Sequence, residues 1–391
     1  MQVKAVAEYK GNYSDVVDLD FELKTANVDY ALAQNWNWIS HFAESPVAVA
    51  EFATEGVDAV LSLNEEVIRD PKHGLVGNLK QLAPVSGYKV QVSGDSWNGT
   101  VSGIAFDPAA SVKLNEGWNW IGTPVDEGSL LIEDLLAGLE VEEGDMLVSI
   151  DGFVTADADG AWKGTVSHME PGAGYMFFST SAKEFVYNVV AAHDSEAPVK
   201  APVAAIDGYW TVDNHKYAYA MPVIASLEGI DGAYVDAEEY TVAAFCGDEC
   251  RGIGAVVDGL VMINVHGNEG DVISFRLIGD DRREMVAAST VVFEERPEGS
   301  LAAPFSISLN GAVSVGEISA DSFDVVYSDG SFIVKGDVSD VKSVEIYDLS
   351  GKLLAKGNGS GKLSVGAIDG SVVTVVIRKA DSSSSVKVVV K

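Results

Sequence analysis

Cysteine is scarce in this chain: 391 residues hold two, Cys246 and Cys250. That is too few for a disulfide framework, and it neither demands nor excludes an oxidising compartment. No apolar run reaches the ~18 residues a membrane-crossing helix needs, so no transmembrane segment is expected. No signal peptide follows Met1, because Gln2–Tyr9 already alternates like a strand, so the start reads as a cut within a longer precursor or as a mature terminus. The six histidines are scattered, with no His-Glu-x-x-His and no pair at i, i+4, which argues against zinc chemistry and leaves no metal site expected. Basic residues are also few, 26 against 59 acidic, for a net charge of −33. Such a surface repels nucleic acid and anionic membrane, so neither is an expected partner.

Long stretches of helical period are missing as well. Gly is frequent and the Val/Ile runs are short, so the expected class is mainly β. Two small duplicated repeats of strands and short helices come first, followed by two antiparallel β-sandwich, immunoglobulin-like domains. The length favours two to four domains. An apolar content of 47% is ample for their cores. Charge divides unevenly: residues 323–391 carry nine Lys/Arg and eight Asp/Glu, against 17 and 51 before them. Such a step marks a domain boundary. The expected division is 1–93, a first repeat unit with an N-terminal hairpin turning at Gly11-Asn12; 94–183, a second unit; a 184–205 linker; a 206–309 sandwich; a 310–322 linker; and a 323–391 sandwich.

The duplication rests on Asn35-Trp36-Asn37-Trp38-Ile39 and Gly117-Trp118-Asn119-Trp120-Ile121, which hold four of the seven tryptophans. Each is followed by Pro-x-x-Gly-Tyr, at Pro84–Tyr88 and Pro171–Tyr175. Trp36/Trp118 and Leu32/Leu114 are 82 apart, whereas Asp58/Asp145, Ser62/Ser149, Gly77/Gly164 and Tyr88/Tyr175 are 87 apart. One five-residue change between two sets of anchors indicates a duplication. Alternation puts Trp36 and Trp38 on one face and Asn37 on the other. A short amphipathic helix follows in each unit, started by Ser45-Pro46 in one and capped by Ser129 in the other. The segment Ser102–Leu114 reads as a strand connecting the copies.

The tryptophans admit two readings. A buried Trp removes roughly 150–250 Å² from water, so at least one of each pair is expected in a core. The other reading is a stacking platform for sugars or aromatics, with Trp36, Trp118, Trp162 and Trp210 as candidate binding residues. Other chemistry is mostly excluded. Gly94-Asp95-Ser96 lacks the second Gly of a nucleophile elbow, and Gly357–Lys362 lacks the Ser/Thr and helix of a phosphate loop. Asp157-Ala158-Asp159-Gly160 resembles half a calcium loop without its bidentate Glu. It reads as a turn, with weak calcium binding as the alternative, and no cofactor is expected. Acidic pairs such as Glu65-Glu66 read as solvated surface, and no catalytic residue is assigned.

Cys246 and Cys250 flank Gly247-Asp248-Glu249, read as a three-residue hairpin turn. Paired strand positions lie ~4.5–5.5 Å apart at Cα, within disulfide reach, and the sequence leaves the pairing open. Asp248, Glu249 and Arg251 are expected to be structural, with Arg251 tied to its own turn. In the last domain, Val344–Tyr347 and Leu353–Ala355 should pair across Asp348–Gly351, and Val372–Ile377 with Val386–Val390 around a Ser382–Ser385 tip.

The whole chain resembles the modular surface and secreted proteins of Bacteroidetes-type bacteria. Gly117–Gly122 with Glu170–Tyr175 is similar to their Gly-Trp-Asn-Trp-Ile…Pro-Gly-x-Gly-Tyr repeat, of which the first copy is degenerate, with Asn35 for Gly and Val85-Ser86 for Gly-x. Tyr240–Gly252 resembles a second module of such proteins, one that usually has a single Cys. Val344–Leu354 with Val386–Lys391 resembles the C-terminal sorting domain of type IX secretion substrates, without the usual Asn-Pro opening or the Gly-x-Tyr near Gly370–Val373. The resemblance implies a secreted or outer-surface, non-catalytic protein for adhesion or for binding an extracellular glycan or protein. It also implies recognition of the C-terminal domain by the secretion machinery. The alternative is the accessory C-terminal region of a surface hydrolase.

Overall fold

Each Trp-Asn-Trp stretch is clamped by its asparagine to the backbone just before it, across a bend. Asn37 Oδ1 accepts the Ala33 N–H at 2.9 Å while its Nδ2 donates to the Ala33 and Asn35 carbonyls. Asn119 does the same with Asn115 and Gly117. The clamp needs a left-handed residue two positions before each Asn. Gly117 supplies it at φ 88°, and Asn35, the side chain that best tolerates that region, at φ 71°. The later tyrosines close the other motif. Tyr88 OH accepts the Ala83 N–H at 2.6 Å, and Tyr175 OH accepts the Glu170 N–H at 2.7 Å. In the first copy Val85 takes the place of Gly172 and keeps its left-handed backbone, φ 47° against 74°.

The computed structural model describes residues 2–5, 8–9, 12–13, 17–20, 25–107, 109–124, 128–189, 209–229, 233–279, 284–309, 313–315, 324–328, 331–335, 341–347, 352–358, 362–364, 372–378 and 383–389. The fold is mainly β, with many antiparallel sheets. Two compact units, Met1–Val313 and Ser314–Lys391, divide the chain. Gly11, residues 190–205 of the expected 184–205 linker, most of 310–322 and the Asp348–Gly351 turn lie outside the described residues, while the start of that linker belongs to the second repeat, where Lys183–Val186 is a strand and Phe185 and Tyr187 are buried. No helix among the described residues is long and apolar enough to cross a membrane.

Both repeats order their strands alike within one ten-stranded sheet. In the first, Thr25–His41, Ser86–Ile104, Val57–Leu61, Glu66–Asp70 and Gly74–Gly77 are successive neighbours. In the second they are Gly117–Gly122, Gly174–Ser179, Met146–Val148, Phe153–Ala156 and Trp162–Gly164. The copies join reciprocally: the Ser40 N–H donates to Gly172 O at 2.8 Å and the Gly122 N–H to Val85 O at 2.9 Å. A Cβ on Gly87 would come within 2.9 Å of Ile121 O, and one on Gly174 within 2.3 Å of Ile39 O. Only glycine lets these backbones meet, which explains the Gly-Tyr of both motifs.

Local expectations fail where elements are short. The helices are single turns, Val49–Phe52 and Ile132–Leu135, and neither has a side-chain cap. Ser45-Pro46 precedes a strand residue pair, Val47–Ala48, and Ser129 donates to Glu170 Oε1 instead of capping. Val49, Phe52, Ile132, Leu135, Leu136 and Leu139 are buried, while Leu131 is half-buried. Ser102–Leu114 is not one strand. Its first residues end Ser86–Ile104, and Ser111–Leu114 pairs with Lys183–Val186.

The sandwich sets one sheet, built on Tyr219–Glu228 and Leu260–Gly267, against another, built on Tyr240–Cys246 and Val272–Gly279. Alternation sends Val261, Ile263 and Val265 into the core between them, where Ile273, Phe275 and Leu277 meet them fully buried. In the C-terminal unit, Ser343–Tyr347 pairs with both Leu353–Asn358 and Val372–Arg378, over a core including Val344, Ile346 and Val375. Ser383–Ser385, expected in a tip, belong to the strand Ser383–Val389 paired with Val372–Arg378.

The cysteine hairpin turns in two residues rather than three. Cys246 faces Glu249, and Cys250 faces Phe245. One residue of register puts the two thiols on opposite sides of the ribbon. Both are free, and the Cys250 thiol donates to Gly252 O at 3.7 Å. Arg251 does meet its own turn, 3.6 Å from Glu249, but it also reaches Asp271 and His266 O and stacks 3.8 Å from the Tyr217 ring centroid. Arg276 takes the tip instead, bonding Gly247 O and Asp248.

Candidate functional site

The even residues of Leu260–Gly267 face away from the sandwich core, toward the second repeat. Met262 joins an apolar cluster there with Ala220, Ile224, Trp38, Met146, Phe153 and Met176, and Trp118 and Trp120 pack against it. The face of the duplicated motif is therefore covered by the sandwich. The Trp38 indole donates to Ala218 O at 3.1 Å and that of Trp118 to Glu295 O at 2.5 Å. Within this cluster Lys89 is 1% exposed. Its ammonium lies 4.7, 4.5 and 3.9 Å from the ring centroids of Trp38, Trp120 and Tyr219, with no hydrogen-bond partner among the described residues. Burial pushes its pKa down to about 7, against the pull of the Glu295 carboxylate.

Beyond Met262 the same strand face turns polar, and a cleft of about 400 Å³ opens. Its walls come from Asp151 and Thr165 of the second repeat, the segment Trp210–Asn214, and Gly252, Asn264 and His266 of the sandwich. Asn264 Nδ2 donates to the Ser149 and Ile150 carbonyls at 3.1 and 3.3 Å. That orients the amide and leaves Oδ1 buried and unpartnered among the described residues. His266, 2% exposed, likewise has a buried Nδ1 without a partner among them. Burial lowers its pKa to about 4, with Asp151 and the Ile150 backbone acting the other way. The ring is therefore neutral near pH 7. Asp151 on the rim accepts from Asn214 Nδ2 at 2.9 Å. Gly252 admits the neighbouring strand, since a Cβ there would meet Asn264 O at 2.6 Å.

Of the four candidate tryptophans, Trp210 alone lines this cleft, its ring edge-on to Tyr209 and Phe245 with centroids 5.1 and 5.6 Å away. Trp162 packs edge-on against Phe177 in the second repeat's core. Trp118 lies at the sandwich contact. Trp36 is half-buried, with its backbone bonded to His215. The structure does not bring the four together. Asn264 and His266 were missed by sequence reasoning. The signal for them is Leu260–Gly267 itself, too apolar for a strand with one wet face.

A larger cleft, about 670 Å³, lies between the repeats beside Pro84–Tyr88 and Phe106. Asn119, its buried polar side chain, is spent on the clamp, and Tyr88 OH on Ala83, so these walls leave less for a ligand to satisfy. At Asp157–Gly160 the Asp157 carboxylate accepts from the Asp159 and Ala161 N–H groups, closing a turn. No group of three or more potential metal-ligating side chains occurs among the described residues.

No protein-family model matches the sequence, and no curated protein does. Several solved structures show some likeness, among them two of different kinds. The CD2-binding domain of CD58 (lymphocyte function-associated antigen 3) is 12% identical with a TM-score of 0.14, covering 44% of this chain and 95% of that one. The Bacillus anthracis TIE protein is 9% identical with a TM-score of 0.18, covering 97% and 68%. At such scores neither carries an argument about this chain.

Proposed function

We propose that this is a non-catalytic, secreted or surface-attached adhesion or binding protein, and that the cleft walled by Trp210, Asn264 and His266 is its ligand seat. The carrying observation is the pair of buried, unpartnered polar atoms beside an aromatic wall. Buried polar groups are nearly always satisfied, so two orphaned atoms on residues that wall one cleft favour a guest that satisfies them. The duplicated tryptophans serve the architecture, since their face holds the sandwich. The C-terminal unit, with its near-neutral charge and sorting-like motif, is the address read by the secretion machinery. Glycan and peptide arrays probed with the full chain and with Trp210→Ala test the seat. Binding that Trp210→Ala abolishes supports it. Binding that the variant retains, or none at all, refutes it.

A further inference from the structure

We infer that the cleft takes a neutral pyranose, with Trp210 supplying the aromatic wall for the sugar's apolar face and the Asn264–His266 floor meeting its hydroxyls. This rests on the cleft being the ligand seat.

The unpartnered Asn264 Oδ1 is an acceptor, so a guest must donate to it, and with the Ile150 backbone accepting from the other ring nitrogen the neutral His266 ring presents Nδ1 as a second acceptor. Hydroxyls donate to both. A carboxylate cannot donate, and it or a phosphate would face Asp151 on a chain of net charge −33. A peptide would need backbone edges to pair with. Leu260–Gly267, which carries both orphans, is already flanked by Tyr219–Glu228 and Ala255–Val257. The cleft's volume, about 400 Å³, falls in the roughly 300–1,000 Å³ range of small-ligand sites. Aromatic walls with a few convergent polar groups are the usual make-up of such sites.

Saturation-transfer NMR on the full chain decides it, with methyl glucoside, galactoside, mannoside and N-acetylglucosaminide at millimolar concentration. Methyl glucuronide and pentalysine are the charged controls. At least one neutral glycoside should bind, and Trp210→Ala should weaken it by about tenfold or more. Trp210→Phe, which keeps a ring against Phe245, should show a smaller loss and covers the case in which Trp210→Ala unfolds. Binding of glucuronide or pentalysine in place of the neutral sugars, lost in Trp210→Ala, would overturn the ligand class and leave the seat standing. Neutral-sugar binding indifferent to both Trp210 variants would place the sugar elsewhere and overturn the inference. Silence from every probe here and on the arrays would overturn both readings.

Discussion

Lys89→Met puts into the first repeat the residue that the second carries at the matching place, Met176, 87 positions on. Lys89 pairs with Trp38 as Met176 pairs with Trp120, and both side chains enter the contact with the sandwich. In the folded chain burial lowers the lysine from 10.5 to about 7. The unfolded chain therefore binds the extra proton between about pH 7 and 10.5, and wild-type stability rises with pH across that window. Below it the cost is fully present, on the order of 5 kcal/mol before the surrounding rings are credited. Ring attraction returns roughly 2 kcal/mol or more when desolvated. Lys89→Met should therefore be more stable than wild type at pH 7 by roughly 1–4 kcal/mol, the range for replacing buried charge by apolar side chains. The gap should close toward about pH 10. Urea titrations followed by tryptophan fluorescence measure this cleanly, because all seven tryptophans lie within Met1–Val313. A variant less stable than wild type by an amount independent of pH would mean that ring attraction exceeds desolvation, and the reasoning would fail.

Other positions give independent checks. Asp145, fully buried, accepts from the Glu142 and Thr180 N–H groups and from Lys183. Asp145→Ala leaves Lys183 with only the half-exposed Glu142 carboxylate, 3.2 Å away, and should cost up to roughly 3–5 kcal/mol by urea denaturation, a loss that Asp145→Ala/Lys183→Met should partly restore. Val85→Gly relieves a left-handed β-branched residue but gives up its packing in the second repeat's core, so a net change within about 1 kcal/mol is expected. Val85→Ala loses packing and keeps the strain, and the idea falls if it proves the milder change. Cys246→Ser and Cys250→Ser should each leave the melting temperature equally insensitive to reductant. A reductant-dependent shift confined to the wild type would contradict the hairpin register.

The sequence was most legible where the backbone itself demands a residue type. Asn37 and Asn119, Gly87 and Gly174, and Tyr88 and Tyr175 each satisfy a backbone contact that few other residues could, so the duplication stands out after the copies have diverged. The helices were misread at their starts because a four-residue helix packs through two or three side chains and needs no cap. The cysteine register turned on one residue of turn length, which Gly247-Asp248-Glu249 does not specify. Of the cleft, only Trp210 was visible beforehand. Asn264 and His266 lie on the second buried face of Leu260–Gly267, whose other face packs into the sandwich core. Nothing in the sequence around Lys89 indicates that the sandwich covers it.

The reciprocal join between the copies has a geometric consequence. Each repeat offers the other the same two edges, Trp-Asn-Trp-Ile and Pro-x-x-Gly-Tyr, so the pair is related by an approximate two-fold axis, as in an isologous dimer fused into one polypeptide. A true homodimer would present identical half-faces to a neighbour and could not tell left from right. Fusion removes that degeneracy: one half carries Lys89 and the other Met176, and the single sandwich covering both has a unique way to sit. Broken symmetry thus gives the cleft a single location, on the second half, where Asp151 and Thr165 meet the sandwich. A first repeat expressed alone should pair with itself, recreating the symmetric ancestor and losing the orientation that places the cleft.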